Sequence, residues 1–240
     1  MATTDQPEGS YTSTRQGLHR VAAHILSRRR FDVSGRFGLR AGPGGIATPS
    51  FGDGPETIRV AGTTLVRETG GTATYAPLTG STLRELAAFS GVALDGAFSV
   101  GDQTPAVGDV DVPLDVDAGA LAVIAHWYDL GWRVLDAVVA ELPAQAAPAT
   151  IQLWPEHFDA ATNVGLASGE GVNLGFSPGD AYEAEPYAYV GPWSSRRPGD
   201  PAFWNAPFGA VLRRADVLAS ADPAASARDF LGAGMAQASA

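Results

Sequence analysis

The chain reads as an α+β protein: antiparallel strands with a long central helix, residues 118–142, packed on one face, and further helices near both termini. Three observations predict this. From Phe158 to Leu166 every second residue is apolar or small (Phe158, Ala160, Thr162, Val164, Leu166), the period of a strand with one buried face. Val172, Leu174 and Phe176 repeat that period after the Gly-bearing connection 167–171, so the two segments form a hairpin. Between Ala118 and Leu142 the period changes to helical: Leu121, Ile124, Tyr128, Trp132, Leu135, Val139 and Leu142 line one wide apolar face, which Pro143 ends.

The other elements follow in order. Residues 1–12 are polar and are expected to be disordered, and residues 13–235 then form one domain. Ser13 to Gln16 fits a capping box for a helix carrying Leu18, Val21, Ala22, Ile25 and Leu26 and ending in Arg28, Arg29 and Arg30, where cations suit the helix dipole. Phe31, Val33, Phe37 and Leu39 alternate with polar residues and predict a strand over 31–40. Segments at 46–51, 57–61, 64–67 and 72–75, separated by glycine turns, continue it as an antiparallel meander. Thr82 to Glu85 caps a short helix stopped by Gly91. Six aspartates between Asp95 and Asp117 lack the spacing of a calcium loop, so this segment reads as an acidic connector whose Asp117 caps the central helix. The Ala/Pro segment 143–149 is where a subdomain boundary would fall. Gly209 to Leu212 predicts a last strand, and Asp222-Pro223 opens a C-terminal helix reaching about Leu231.

Composition narrows the function classes. Against 26 acidic residues stand 16 basic ones, all arginine, for a net charge of −10, which argues against nucleic-acid or anionic-membrane partners. The chain has no cysteine, which excludes disulfides, thiolate metal sites and a cysteine nucleophile. With no apolar run of spanning length and no secretory pattern at its start, a cytoplasmic protein is the expectation, with homo-oligomers allowed.

The candidate site lies in 151–193. Opposite the buried face of the hairpin stand His157, Asp159, Ala161, Asn163 and Gly165, answered by Asn173, Gly175 and Ser177. Glycine inside a strand often marks a close approach by backbone or ligand, so something is expected to pack there. A third strand, Glu185 to Val190, presents Glu185, Tyr187 and Tyr189 on one side. If it joins the hairpin, His157, Asp159 and Glu185 become candidate catalytic groups. Asn163, Asn173, Tyr187 and Trp154 become candidate substrate contacts. His157-Phe-Asp159 also has the spacing by which a strand offers two metal ligands to one side, and His126, in a polar stripe with Asp129, Arg133 and Asp136, is the candidate third ligand of a divalent ion. The structural alternatives are a hydrogen-bonded His/Asp pair and a solvated helix edge with an Asp129–Arg133 ion pair.

The segments Trp154-Pro-Glu-His-Phe-Asp159, Ser177-Pro-Gly-Asp180 and Glu185-Pro-Tyr-Ala-Tyr189, in that order, resemble a bacterial family of uncharacterised proteins with W-P-x-H-F-D, S-P-G-D and E-P-Y-x-Y motifs, over about residues 150–235. The resemblance implies no particular activity. Two readings therefore stand. Either the patch binds a small molecule, as an acid/base or metal-dependent enzyme or passively, or its small-residue face is covered and the protein is a structural or protein-interaction module.

Overall fold

The computed structural model describes residues 8–95 and 97–240, so residues 1–7 of the expected disordered start lie outside it. Two antiparallel five-stranded sheets, a long helix and helices towards both ends make an α+β fold, as expected. The chain divides into two compact units. The first comprises residues up to His126 together with Leu153–Phe158, and the second comprises Trp127–Gln152 and Asp159–Ala240.

In the first unit, helix α1 (Glu8–Val21) passes into a π-helical stretch (Ala22–Ser27) and then into α2 (Arg28–Ser34). The helix is thus already running at Ser13, and the strand expected over 31–40 is replaced up to Ser34 by helix. Two local interactions override the alternating pattern: Arg28 binds Asp32 one turn on at 2.7 Å, and Gly35 adopts the left-handed φ of 68° that closes a helix. Phe31 and Val33, which alternation assigned to a core, are 43% and 42% exposed.

A meander follows: β1 (Arg40–Gly42), β2 (Gly45–Ala47), β3 (Glu56–Ala61), β4 (Thr64–Thr69) and β5 (Thr72–Pro77), paired in that order. Alternate residues of β3 and β4, such as Ile58, Val60 and Leu65, are fully buried. Helix α3 (Leu83–Ser90) carries the expected capping box of Thr82 and Glu85 and ends on Gly91. Asp117 caps the long helix α4 (Ala118–Glu141), its carboxylate accepting from Ala120 N at 2.7 Å.

One buried charge ties this unit together. The Glu56 side chain is only 6% exposed and accepts from Arg29 of α2 at 2.9 Å and Arg67 of β4 at 2.9 Å. Burial alone would raise its pKa, but the two guanidinium groups outweigh it and hold the carboxylate below its usual range.

The second unit holds the rest of α4, a 3-10 turn (Ala144–Ala146), strands β7 (Asp159–Gly165), β8 (Gly171–Ser177), β9 (Tyr187–Pro192) and β10 (Ala210–Arg213), and helices α5 (Arg214–Ala219) and α6 (Pro223–Ala238). The sheet order is β10-β9-β8-β7, with β6 (Gln152–Trp154) at the end. Pairing of Asn163 with Asn173, and of Asn173 with Gly191, fixes the register. One face of the sheet (Val164, Val172, Leu174, Phe176, Ala188, Val190) is packed against Trp127, Leu130, Val134 and Val138 of α4 and Ala227 and Leu231 of α6. Both helices approach through glycine: a methyl group on Gly131 would meet the Phe176 ring at 2.5 Å, and one on Gly234 would meet Val190 at 2.5 Å. Trp127 anchors α4 by donating its Nε1–H to Ser177 O at 2.8 Å.

Glu56→Gln should destabilise the protein by about 1–3 kcal/mol in urea unfolding, because two partly exposed arginines lose their shared buried counter-charge. In the wild type the Glu56 contribution, present in full above the unfolded pKa, should fade as the pH falls through the lower native one, and this component of acid sensitivity should be missing from the variant.

Candidate functional site

The sheet face opposite the helices is the one that sequence alternation assigned to the site. It bears Asp159, Asn163, Asn173 and Tyr187, and its centre is built from a glycine and a ring. Gly175 of β8 lies directly across from Tyr189 of β9 in the antiparallel register. A methyl group at 175 would stand 2.5 Å from the Tyr189 ring, so the hydroxyl-bearing end of the ring lies over bare backbone. This places the Tyr189 hydroxyl against the buried Asp159, to whose Oδ2 it donates. The phenol is pushed well above its usual pKa by burial and by the Asp159 charge, so it remains a donor.

A second tyrosine–carboxylate pair sits beside the first. Tyr187 donates to Asp180 Oδ2 at 2.6 Å, and Asp180 Oδ1 accepts from the backbone N–H groups of Tyr182 and Glu183 at 2.8 and 3.1 Å. Burial and the Asp180 bond raise the Tyr187 pKa as well. Phe208, at the approach to β10, completes the group. Its ring lies 5.1 Å from Tyr182, 6.4 Å from Tyr187 and 6.3 Å from Tyr189. Tyr182 and Phe208 remain 44% and 36% exposed, beside the exposed Asp180. The result is a face of four rings with two carboxylates among them.

The rest of the small-residue face is also occupied. The indole of Trp193 lies over Gly171, 2.7 Å from where a methyl group would be, and donates its Nε1–H to Asn173 Oδ1 at 2.7 Å. A methyl group at Gly165 would stand 3.2 Å from the carbonyl oxygen of Ala146. Asn163 lies on this face across from Asn173, and its backbone oxygen accepts from Ala149 at 2.9 Å.

His157 does not share a strand with Asp159. Pro155 and a left-handed Phe158, with φ of 56°, make a turn of 155–158, closed by Phe158 N on Trp154 O at 2.8 Å, and β7 begins only at Asp159. The alternation that would put both side chains on one side is therefore interrupted, and the two residues fall in different units. His157 is exposed; it meets Gln103 Oε1 at 3.3 Å and Glu156 at 3.7 Å. Trp154 belongs to the first unit, half-buried. Glu185 is exposed just before β9, and His126 is exposed on α4. Asp129 and Arg133 form the helix-edge ion pair at 3.1 Å. Among the described residues no group of three or more His, Asp or Glu side chains is placed to hold a metal ion, so His157, Asp159 and His126 do not make a metal centre.

Sequence reasoning left Asp180, Tyr182 and Phe208 out of the site, and placed Tyr189 on its face without giving it a role. The signal for Tyr189 was present: a ring in one strand and a glycine in the next are complementary sizes once the register is known. Nothing local marks Phe208, which arrives from a loop. It also passed over His19 of α1, whose Nε2 lies 3.0 and 3.1 Å from the carbonyl oxygens of Pro155 and Glu156 and whose ring stacks on Phe158 at 5.0 Å. These contacts surround Phe158, the left-handed residue of the 155–158 turn. Burial lowers the His19 pKa to about 4.

No protein-family model, curated protein or solved structure matches the chain. Among the described residues no helix is long and apolar enough to cross a membrane.

Two outcomes are expected. Gly175→Ala should cost about 1–3 kcal/mol in urea unfolding, since the ring it displaces also carries the Asp159 bond, whereas Gly232→Ala in α6, with open space at the added methyl group, should be neutral or stabilising by up to about 1 kcal/mol. Because His19 is held neutral when folded but takes a proton near 6.5 when unfolded, its contribution should be level above that pH, fall as the pH drops, and level off near the folded value of about 4. His19→Gln should flatten that part of a pH–stability curve measured by thermal unfolding.

Proposed function

We propose that the chain is a protein-interaction module whose recognition surface is the aromatic and acidic face of the second unit, and that it takes arginine- or lysine-bearing segments of a partner protein. The observation that carries this reading is the Tyr189 ring seated on Gly175 with its hydroxyl on Asp159. The hollow that a small-molecule site required above the glycines is filled by the protein's own rings. Both tyrosine hydroxyls are engaged as donors and kept protonated, which suits a rigid surface better than acid/base work.

The chemistry of the partner follows from what the face leaves exposed. Tyr182 and Phe208 present accessible rings, and Asp180 stands beside them as an anion fixed by three donors. Exposed rings next to a fixed carboxylate attract guanidinium and ammonium groups through cation–π and ionic contact together. The net charge of −10 favours encounter with a cationic partner over distance. Arg213, the nearby cation, is already paired with Glu183 at 2.7 Å and so leaves Asp180 available.

Titration calorimetry with an oligo-arginine peptide at moderate salt tests the reading. Tyr182→Ala and Phe208→Ala should each weaken binding by about tenfold, within the range for an aromatic hot spot, while Asp129→Asn on the helix edge should leave it within about twofold. Binding by a Tyr182→Ala/Phe208→Ala double variant at wild-type strength would overturn it.

A further inference from the structure

We infer that β5 of the first unit is a self-association edge, through which two copies of the chain join their five-stranded sheets into one. The inference is independent of the aromatic face. β5 is the last strand of its sheet, six residues long, and its sequence Thr-Ala-Thr-Tyr-Ala-Pro carries no charge. It is exposed along most of its length, and Tyr75, at 67%, is the most exposed large apolar side chain among the described residues.

Which backbone groups are left over follows from the register. Leu78 N donates to Thr63 O at 2.9 Å, so the 63–78 pair is a hydrogen-bonded one. In an antiparallel ladder such pairs recur every second residue, which turns Thr72, Thr74 and Ala76 towards their partners Thr69, Arg67 and Leu65. Ala73, Tyr75 and Pro77 therefore direct their backbone groups outward. The outward Pro77 has no N–H to lose, which is why proline is tolerated there.

Such edges are usually protected by charge, by proline, by brevity or by a covering group, and the one proline of β5, Pro77, stands at the end of the strand, outside residues 73–75. The other edges follow that rule. β1 and β6 have three residues each. At β10, Asn205 acts as a false strand: its side chain accepts from Val211 N at 2.8 Å and donates to Val211 O at 3.0 Å. Among the described residues β5 has neither a cover of this kind nor a charge.

The strand is complementary to itself. In an antiparallel two-fold pairing about Thr74, Ala73 lies across from Tyr75 of the second copy and Tyr75 across from its Ala73. These are the residues with outward donors and acceptors, so four backbone hydrogen bonds close. On one face each Tyr75 ring covers the small Ala73 of the other copy, and on the other face the two Thr74 side chains meet. A shift by one residue would set outward groups against inward ones. Because each copy carries −10 while the edge is neutral, added salt should tighten the dimer by screening the repulsion.

Analytical ultracentrifugation of the whole chain over a concentration series tests the inference. The wild type should dimerise, more tightly at higher salt. Ala73→Pro removes one outward N–H from each copy and leaves the bonds to β4 in place, so it should weaken the dimer by about tenfold or more with an unchanged circular dichroism spectrum. Thr74→Arg, which sets like charges together on the axis, should do the same and decides the matter if the proline variant fails to fold. Since the chain has no cysteine, Thr74→Cys should form a single intermolecular disulfide on mild oxidation, and Glu68→Cys on the neighbouring strand should not. A wild type that stays monomeric throughout, a dimer that persists in both Ala73→Pro and Thr74→Arg, or equal cross-linking of the two cysteine variants would each overturn it.

Discussion

A missing side chain at Gly175 lets the ring of Tyr189 lie against the backbone of β8, and the outer face of the second unit depends on that contact. The ring fills the groove that a glycine leaves in a pleated sheet, and its position fixes where the hydroxyl can go. Asp159 is the partner within reach, and a buried carboxylate needs donors, so packing and polar satisfaction settle on the same geometry. Tyr187, two residues earlier on the same strand, projects from the same side and finds Asp180 by the same logic. The E-P-Y-x-Y spacing thus works as a pair of rings on one face.

The helical face of the same sheet uses an equivalent device. There Gly131 lies against the Phe176 ring and Gly234 against Val190, so two helices come close enough to bury the strand side chains between them. Glycine in a helix costs about 1 kcal/mol relative to alanine, yet a larger residue at 131 would hold α4 away from the sheet and leave a gap along its length. The sheet is therefore enclosed on both sides by large-against-small contacts, and the side facing away from the helices is the one that leaves rings accessible.

Much of the architecture was legible from periodicity and capping. The hairpin of β7 and β8, the α4 helix with its Asp117 cap, the Thr82 capping box and the Asp222-Pro223 start of α6 all rest on interactions within a few residues, which sequence displays directly. The 31–40 segment misled because a helix of seven residues was decided by one ion pair and one left-handed glycine against an alternating pattern. The face of the site was likewise legible, down to Asp159, Asn163, Asn173 and Tyr187 sharing it. Its occupant was not, because the ring that covers Gly175 comes from another strand and becomes visible only with the register.

The separation of His157 from Asp159 shows how little a two-residue spacing says about geometry unless the backbone between is known. In a strand, positions one apart from a common neighbour share a side; here the common neighbour, Phe158, adopts a left-handed conformation that bulky residues avoid. Such a conformation persists only where its surroundings hold it, and here they are the buried Phe158 ring stacked on His19 and the His19 imidazole bound to the carbonyl groups of Pro155 and Glu156. A histidine kept neutral by burial can donate from one nitrogen without bringing a charge into that environment. The imidazole of consequence to the W-P-x-H-F-D segment is thus one from α1 that shapes its turn, while the one within the segment lies exposed.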